Sequence, residues 1–366
     1  MKIKENVLLF GFAGLVFFIA YLLFAGLPLE KEIQFIPKWT IDIQDKYASF
    51  IHEKKLEDMT ASSVPGDALP FKLAQYLGYI TPSGDVPFIF SFPERASISQ
   101  TFWTSYTSSA SNTPVYSVKN TSSFTLEESG FPHIVNNSVY LFYPGGNSFG
   151  RYSTEGKKLW TAEHWSPITS FASSDAGTAC GYADGDLRFF NTKGDLVFSM
   201  YPGGSSYEVI LGIAISADGS YIAAVCGLEK QRFVLIQLNG KNSKIVYHAY
   251  LDSQKREQTY VHFNNAGNRV FFNYDGGLGV VDCEQNTMMK IPVKGSVCSI
   301  SELESGTLTF VLCQNEKTWT VLALESFSNL MGSFSFTADN AFMSVAGNDL
   351  FIGKDSKISK MEIVKK

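Results

Sequence analysis

Apolar positions along this chain fall into two regimes. From Val7 to Pro28 they form one run, VLLFGFAGLVFFIAYLLFAGLP, 22 residues without a charge. Beyond about residue 70 they break into runs of four to eight, separated by Gly, Asp, Asn and Ser, and no stretch keeps a helical period. Between the regimes, Trp39, Ile43, Tyr47, Phe50 and Ile51 recur at spacings of three and four. That spacing predicts one amphipathic helix near 42–59, capped by Asp42 or Thr40 and closed by the turn Val64-Pro65-Gly66-Asp67.

The first run is long enough to span a bilayer as a helix. It follows Lys2 and Lys4 and precedes Glu30, Lys31 and Glu32, so the positive-inside rule leaves residues 1–6 in the cytoplasm and exports the remainder. A cleavable signal peptide is the rival. A cut after Ala25 puts Leu23 at the −3 position and a cut after Gly26 puts Phe24 there, both bulky for a small-residue site. The expected order is therefore a cytoplasmic tail (1–6), a transmembrane helix (7–28), a linker with one amphipathic helix (29–70) and a β-domain (71–366).

The β-domain repeats itself. Residues 168–198, 211–247, 260–291, 298–331 and 334–363 each parse as four strands joined by tight turns; residues 132–160 fit well and 78–118 loosely. The turn between the first two strands is placed at Gly84, Asn137, Gly177, Gly219, Gly267, Gly306 and Asn340, about 43 residues apart on average. Four strands at that period are the mark of a propeller blade. The fold class expected is all-β, a seven-bladed β-propeller. The long, Ser/Thr-rich first interval leaves six or eight blades open.

Composition narrows the function classes. The aromatic fraction of 14% and net charge of −5 exclude a disordered chain. With 35 acidic against 30 basic residues, nucleic acid is not the expected partner. The five cysteines, Cys180, Cys226, Cys283, Cys298 and Cys313, form no C-x-x-C pair. Cys226 and Cys313 each lie seven residues after their turn Gly, which predicts equivalent, buried core positions.

The units resemble WD40-type and PQQ-type (quinoprotein-like) propeller blades over roughly residues 75–364. Thr154-Glu155-Gly156-Lys157-Lys158-Leu159-Trp160 is similar to the PQQ-type turn, in which a Trp follows Gly-Lys. Thr192-Lys193-Gly194-Asp195-Leu196-Val197-Phe198 repeats that frame with Phe in the Trp place. The Ser-Ala-Asp-Gly turn at 216–219 looks like a WD40 turn, without the Trp-Asp dipeptide or the Gly-His. The nearest functional analogue that the resemblance implies is an exported, membrane-tethered propeller that scaffolds envelope assembly. Quinone enzymes of this fold carry acidic, Trp and metal-binding residues in the funnel. No such set is identifiable here, so no cofactor is assigned.

Other motifs favour structure over chemistry. Gly146-Asn147-Ser148-Phe149-Gly150 matches G-x-S-x-G, but a strand rather than a helix is expected to follow it. Pro202-Gly203-Gly204 reads as a connection between blades, and Asp184-Gly185-Asp186 as a hairpin turn. His52, His133, His164, His248 and His262 show no metal-site spacing. Trp103, Tyr106 and Tyr116, beside or within a Ser/Thr-rich stretch, are the candidate partner-binding residues, expected to be exposed on loops, with a poorly ordered first blade as the equal alternative. The function expected is a non-enzymatic, membrane-anchored scaffold with a protein partner. A small-molecule or glycan sensor using the central channel is the alternative, and a quinoprotein-like enzyme ranks third.

Overall fold

The computed structural model describes residues 12, 14–21, 33–53, 64–108, 111–118, 123–240, 242–326 and 329–365. The chain divides into the unit Phe35–Ile363 and a smaller unit of Met1–Gln34 with Val364–Lys366. Within the smaller unit residues 14–21 are helical. No helix among the described residues is long and apolar enough to cross a membrane. Most of the apolar run 7–28 lies outside the described residues.

The larger unit is an all-β propeller of eight blades, not seven. Blade 1 comprises β2 (Leu69–Leu73), β3 (Tyr76–Ile80) and β4 (Phe88–Ser91); blade 2 comprises β5 (Arg95–Ile98), β6 (Phe102–Tyr106), β7 (Thr113–Ser117) and β8 (Ser123–Leu126). Blade 3 is β9 (Phe131–Val135), β10 (Ser138–Phe142), β11 (Ser148–Tyr152) and β12 (Lys158–Glu163), and blade 4 is β13 (Ile168–Ser174), β14 (Gly177–Tyr182), β15 (Leu187–Asn191) and β16 (Leu196–Met200). Blade 5 is β17 (Ile210–Ile215), β18 (Tyr221–Cys226), β19 (Arg232–Asn239) and β20 (Asn242–Tyr250), and blade 6 is β21 (Val261–Phe263), β22 (Arg269–Tyr274), β23 (Gly277–Asp282) and β24 (Thr287–Ile291). Blade 7 is β25 (Ser296–Glu302), β26 (Leu308–Asn315), β27 (Thr318–Glu325) and β28 (Asn329–Thr337). Blade 8 is β29 (Ala341–Ala346), β30 (Asp349–Lys354), β31 (Lys357–Lys365) and, as its outer strand, β1 (Ile33–Asp42). The first strand of each blade is innermost, and β29 meets β2 to close the ring.

The extra blade comes from the stretch read as one loose unit over 78–118, which is two short blades. Two turns of the expected ruler are also displaced. Gly84 lies between β3 and β4, and Asn340 lies between blades 7 and 8; the true first turn of blade 8 is at Gly347-Asn348. Residues 33–42 are likewise no linker. They form β1, held to β31 by Thr40 Oγ1 to Ser359 Oγ at 2.9 Å, Ser356 Oγ to Asp42 Oδ2 at 3.1 Å and Lys38 Nζ to Glu362 Oε2 at 2.6 Å. The helix α1 spans Ile43–Glu53, and residues 54–59 of the expected helix lie outside the described residues. It packs against β4, the outer strand of the three-stranded blade 1, with Ile43 fully buried and Tyr47 5.2 Å from Tyr76, ring to ring. An open sheet edge exposes a row of unpaired backbone groups, and α1 shields this one.

Period-2 alternation explains the core. On β18, Ile222 and Ala224 pack toward blade 4, whereas Ala223 and Val225 pack toward blade 6. Both faces of each middle strand are therefore buried, and their sequences run apolar without a polar side. Phe233 of blade 5 stacks on Phe272 of blade 6 at 4.3 Å. Aromatic anchors join other blades. Trp160 on β12 stacks on Phe190 at 6.0 Å, donates from Nε1 to Thr192 O at 3.2 Å and lies over Gly194, where an added Cβ would meet its ring at 2.4 Å. This is the Trp of the PQQ-type frame, and its work is to dock blade 3 on blade 4.

Candidate functional site

The three residues expected at a partner surface lie in blade 2, on β6 and β7, rather than on loops. Trp103 is 4% exposed, wedged against Phe88 and Phe90 and stacked at 4.4 Å on Tyr116. The expectation of an exposed Trp103 is therefore corrected: the stretch is a regular blade, and this ring belongs to its packing. Tyr116 covers Trp103 from the solvent side and remains 37% exposed. Tyr106 reaches the central channel beside Phe131 and His133. Burial raises its phenol pKa, and the Arg95 charge opposes that shift.

The channel has two wide ends. One, about 520 Å³, is walled by β9, β13, β17 and β21 and their turns, with His133, Asn136, Ser173, Asp175, His262 and Asn264 among the polar groups. The other, about 420 Å³, opens beside Tyr106, Gly146, Thr169 and Gln258. His133 and Phe171 line both. The enclosing protein lowers the pKa of both imidazoles, and the Lys72 charge on β2 lowers that of His133 further. Both are thus held uncharged at neutral pH. Among the described residues no group of three or more His, Cys, Asp or Glu is placed to hold a metal ion.

From blade 3 to blade 8, antiparallel order puts the blade-to-blade connections on one face of the ring, together with the turn between the second and third strands of those blades. Apart from the N-terminal helix, the exposed large aromatics of the described residues are Tyr116, Trp165, Tyr201, Tyr207 and Tyr250. Four of these five lie on that face, at three successive connections: Trp165 between blades 3 and 4, Tyr201 and Tyr207 between 4 and 5, and Tyr250 between 5 and 6. Each of the four is more than half exposed. Sequence patterning missed them because single aromatics in short loops interrupt no period. Their common signal is position, at the end of an outer strand or in the connection that follows it.

Beneath this row lies a buried polar network. His164 Nε2 contacts Asp184 Oδ2 at 2.9 Å, and its ring packs on Tyr182 at 4.3 Å and on Trp165 at 5.2 Å. Asp186 is buried and accepts from Arg188 Nε at 2.7 Å and Ser199 Oγ at 2.6 Å. Asp184-Gly185-Asp186 is the expected hairpin turn, with Gly185 N donating to Tyr182 O at 3.1 Å. Gly146–Gly150 is also a hairpin, joining β10 to β11, and Pro202-Gly203-Gly204 connects blade 4 to blade 5. Cys226 and Cys313 occupy equivalent, buried positions, paired with Ile210 and Val297 at the starts of β17 and β25. All five cysteines are free thiols, and burial pushes the Cys180, Cys226, Cys283 and Cys313 thiols up to about 12.

A family model described as a β-propeller protein matches residues 1–366. An uncharacterised protein of Treponema pallidum (strain Nichols) is 33% identical over 367 residues, covering 99% of this chain and 96% of that protein. Among solved structures, BamB from Moraxella catarrhalis aligns with a TM-score of 0.58 at 12% identity, over 90% of this chain and all of its own. A chain in the crystal structure of the Mitotic Checkpoint Complex aligns with a TM-score of 0.51 at 12% identity, over 74% of this chain and 90% of its own. At that identity the likeness is one of fold.

Proposed function

The chain belongs to a family of β-propeller proteins, and from that premise we propose that it is a non-enzymatic, exported scaffold, anchored in a membrane by residues 7–28, whose blade-connection face binds a protein partner. One observation carries this reading: among the described residues, four of the five large exposed aromatics outside the N-terminal helix cluster at three successive connections of one face. Tyr and Trp bring large, rigid contact area at low entropic cost, and they dominate interface energetics. The anchor rests on the 22-residue uncharged run and the lysines before it. The test is site-specific photo-crosslinking in living cells from Tyr207 and Tyr250, with Leu159 on the outer strand of blade 3 as control. One discrete adduct from both tyrosines and none from Leu159 supports the reading, and equal labelling at all three sinks it.

A second reading has its own observation. The channel end of about 520 Å³ carries two uncharged imidazoles with Asn and Ser side chains beside Phe171, a lining suited to a neutral, hydroxyl-bearing ligand such as a glycan. A ligand that binds only the folded state raises its melting temperature, so a thermal-shift screen of sugars tests this directly.

A further inference from the structure

The aromatic face has one corner where charge and rings combine. Glu208, in the connection from blade 4 to blade 5, lies over the Asp184-Gly185-Asp186 hairpin, so close that a Cβ on Gly185 would meet the Glu208 Cβ at 2.5 Å. Glu208 is exposed, and its carboxylate forms no hydrogen bond or ion pair with the described chain. Asp184 is the next carboxylate, turned toward His164, and the Trp165 ring lies 5.2 Å from that imidazole. Tyr201 directly follows the outer strand of blade 4 and is more than half exposed. Desolvation, then the charges of Asp186, Asp184 and Glu208, raise its phenol pKa, and Arg188 opposes them. Arg188, on the strand that follows the hairpin, is already held by Asp186.

We propose that this corner, formed by Trp165, Tyr201, Asp184 and Glu208, receives an arginine or lysine side chain of the protein partner. A cation is attracted by the faces of Trp and Tyr, and the attraction grows when an unpaired carboxylate stands beside the rings. Arginine suits the site best, because its planar guanidinium stacks on a ring while its fork bonds a carboxylate. The same carboxylates repel phosphate, which disfavours nucleic acid and anionic headgroups. No set of three or more metal-ligating side chains is present there among the described residues. The inference rests on the scaffold reading and adds the chemistry by which the partner is read.

The probe is acetylated hexa-arginine, titrated into the full-length protein at about 0.15 M salt and followed by calorimetry, with hexa-glutamate as the opposite-charge control. Saturable binding of hexa-arginine alone is expected, weakened about tenfold by Trp165→Ala and by Glu208→Gln, and less than about twofold by Tyr250→Ala. Both weakening substitutions are at exposed side chains, and thermal melting checks that each variant folds. Absence of saturable binding overturns the proposal. So does binding that falls with Glu208→Gln but not with Trp165→Ala, because diffuse charge then explains it. If hexa-arginine is inert while Tyr207 and Tyr250 still crosslink a discrete partner, this inference fails and the scaffold stands. If neither gives a signal, both fail.

Discussion

Blade 5 and the seam between blades 8 and 1 reach the same radial packing from different material. Blade 5 is one continuous segment, Ile210 to Tyr250, in which each strand pairs with its sequence neighbour. Its alternate residues face blades 4 and 6, so a local pattern is enough to build it. The seam is assembled from both ends of the propeller. β1 supplies the outer strand of blade 8, and Thr40 meets Ser359 across 319 residues of chain. Trp39 then reaches into blade 1, where Nε1 donates to Pro82 O at 3.3 Å and Gly84 lies under the ring. Lys360 Nζ donates to the same Pro82 oxygen at 3.0 Å. Interior blades form before any large loop must close, whereas the seam carries the loop-closure entropy of the whole ring. It is the place where the ring opens first.

The most severe way to break this comparison is to delete Ile33–Asp42. Blade 8 then ends on an unpaired β31, and blade 1 loses the Trp39 contact. The expected loss is about 5 kcal/mol or more, comparable with the entire stability of an ordinary domain, accompanied by aggregation through the bare edge. Denaturant unfolding measures it, and an unchanged midpoint would show that the seam is dispensable. Trp39→Ala alone should cost about 3 kcal/mol, the range for removing a large packed aromatic.

The interior counterpart of the Trp39–Gly84 contact is Trp160 over Gly194. Gly194 has φ of +89° and Gly203 has φ of +67°, but an added Cβ meets Trp160 at 2.4 Å in the first and nothing within 4 Å in the second. Gly194→Ala should therefore destabilise by about 3 kcal/mol, combining strain with overpacking, and Gly203→Ala by only about 1 kcal/mol from strain. Matched thermal or urea melts of the two variants check the difference. Equal losses would mean that backbone strain alone governs these turns and that Trp160 docking is not what joins blade 3 to blade 4.

The same contrast decides what was legible in the sequence. The repeat frame of blades 3 to 7 shows in the turn residues Asn137, Gly177, Gly219, Gly267 and Gly306, because each hairpin there is local and places a turn residue at a fixed offset. The seam does not show. Ile33–Asp42 alternates no better than a linker would, and its partner strand lies at the other end of the chain, so no local period marks it as a strand. Blade 1 lacks a fourth strand and substitutes α1, which erased the count that would have separated it from blade 2. At the candidate site, the Asp184-Gly185-Asp186 turn was legible and its role was not. Its significance depends on Trp165, His164, Tyr201 and Glu208, which only the stacking of one blade on the next brings together. Trp103 misled for the converse reason: the Ser and Thr around it suggest a loop, but they sit on strands whose other face is core.

Acid should weaken the interior before the seam. Burial holds the pKa of His133 and His262 below the ordinary 6.5, so the unfolded chain binds more protons than the folded one once the pH falls below that value. The contribution of these two groups is intact above about 6.5 and declines as pH drops through and below it. Glu128, lowered chiefly by its bond to Lys158, loses its contribution only below its ordinary 4.5. Between pH 7.5 and 5.5 hydrogen exchange should therefore accelerate in β9 and β21 ahead of β29 to β31. The double substitution His133→Gln with His262→Gln should flatten the dependence. Faster exchange at β31 than at β9 over that window would place the acid-sensitive element in the seam instead.

The smallest effect separates pairing from charge within the seam. Lys38 and Glu362 approach to 2.6 Å across the β1–β31 edge, but both side chains are about 40% exposed. Exposed pairs gain little, because water screens the attraction and two long side chains lose freedom. A double-mutant cycle with Lys38→Ala and Glu362→Ala should give a coupling of about 0.5 kcal/mol at low salt, and less at 1 M salt, where the Debye length is about 3 Å. The seam is then held by backbone pairing, Trp39 and the Ile43 plug. A coupling above about 2 kcal/mol, insensitive to salt, would instead make this ion pair the clasp of the ring.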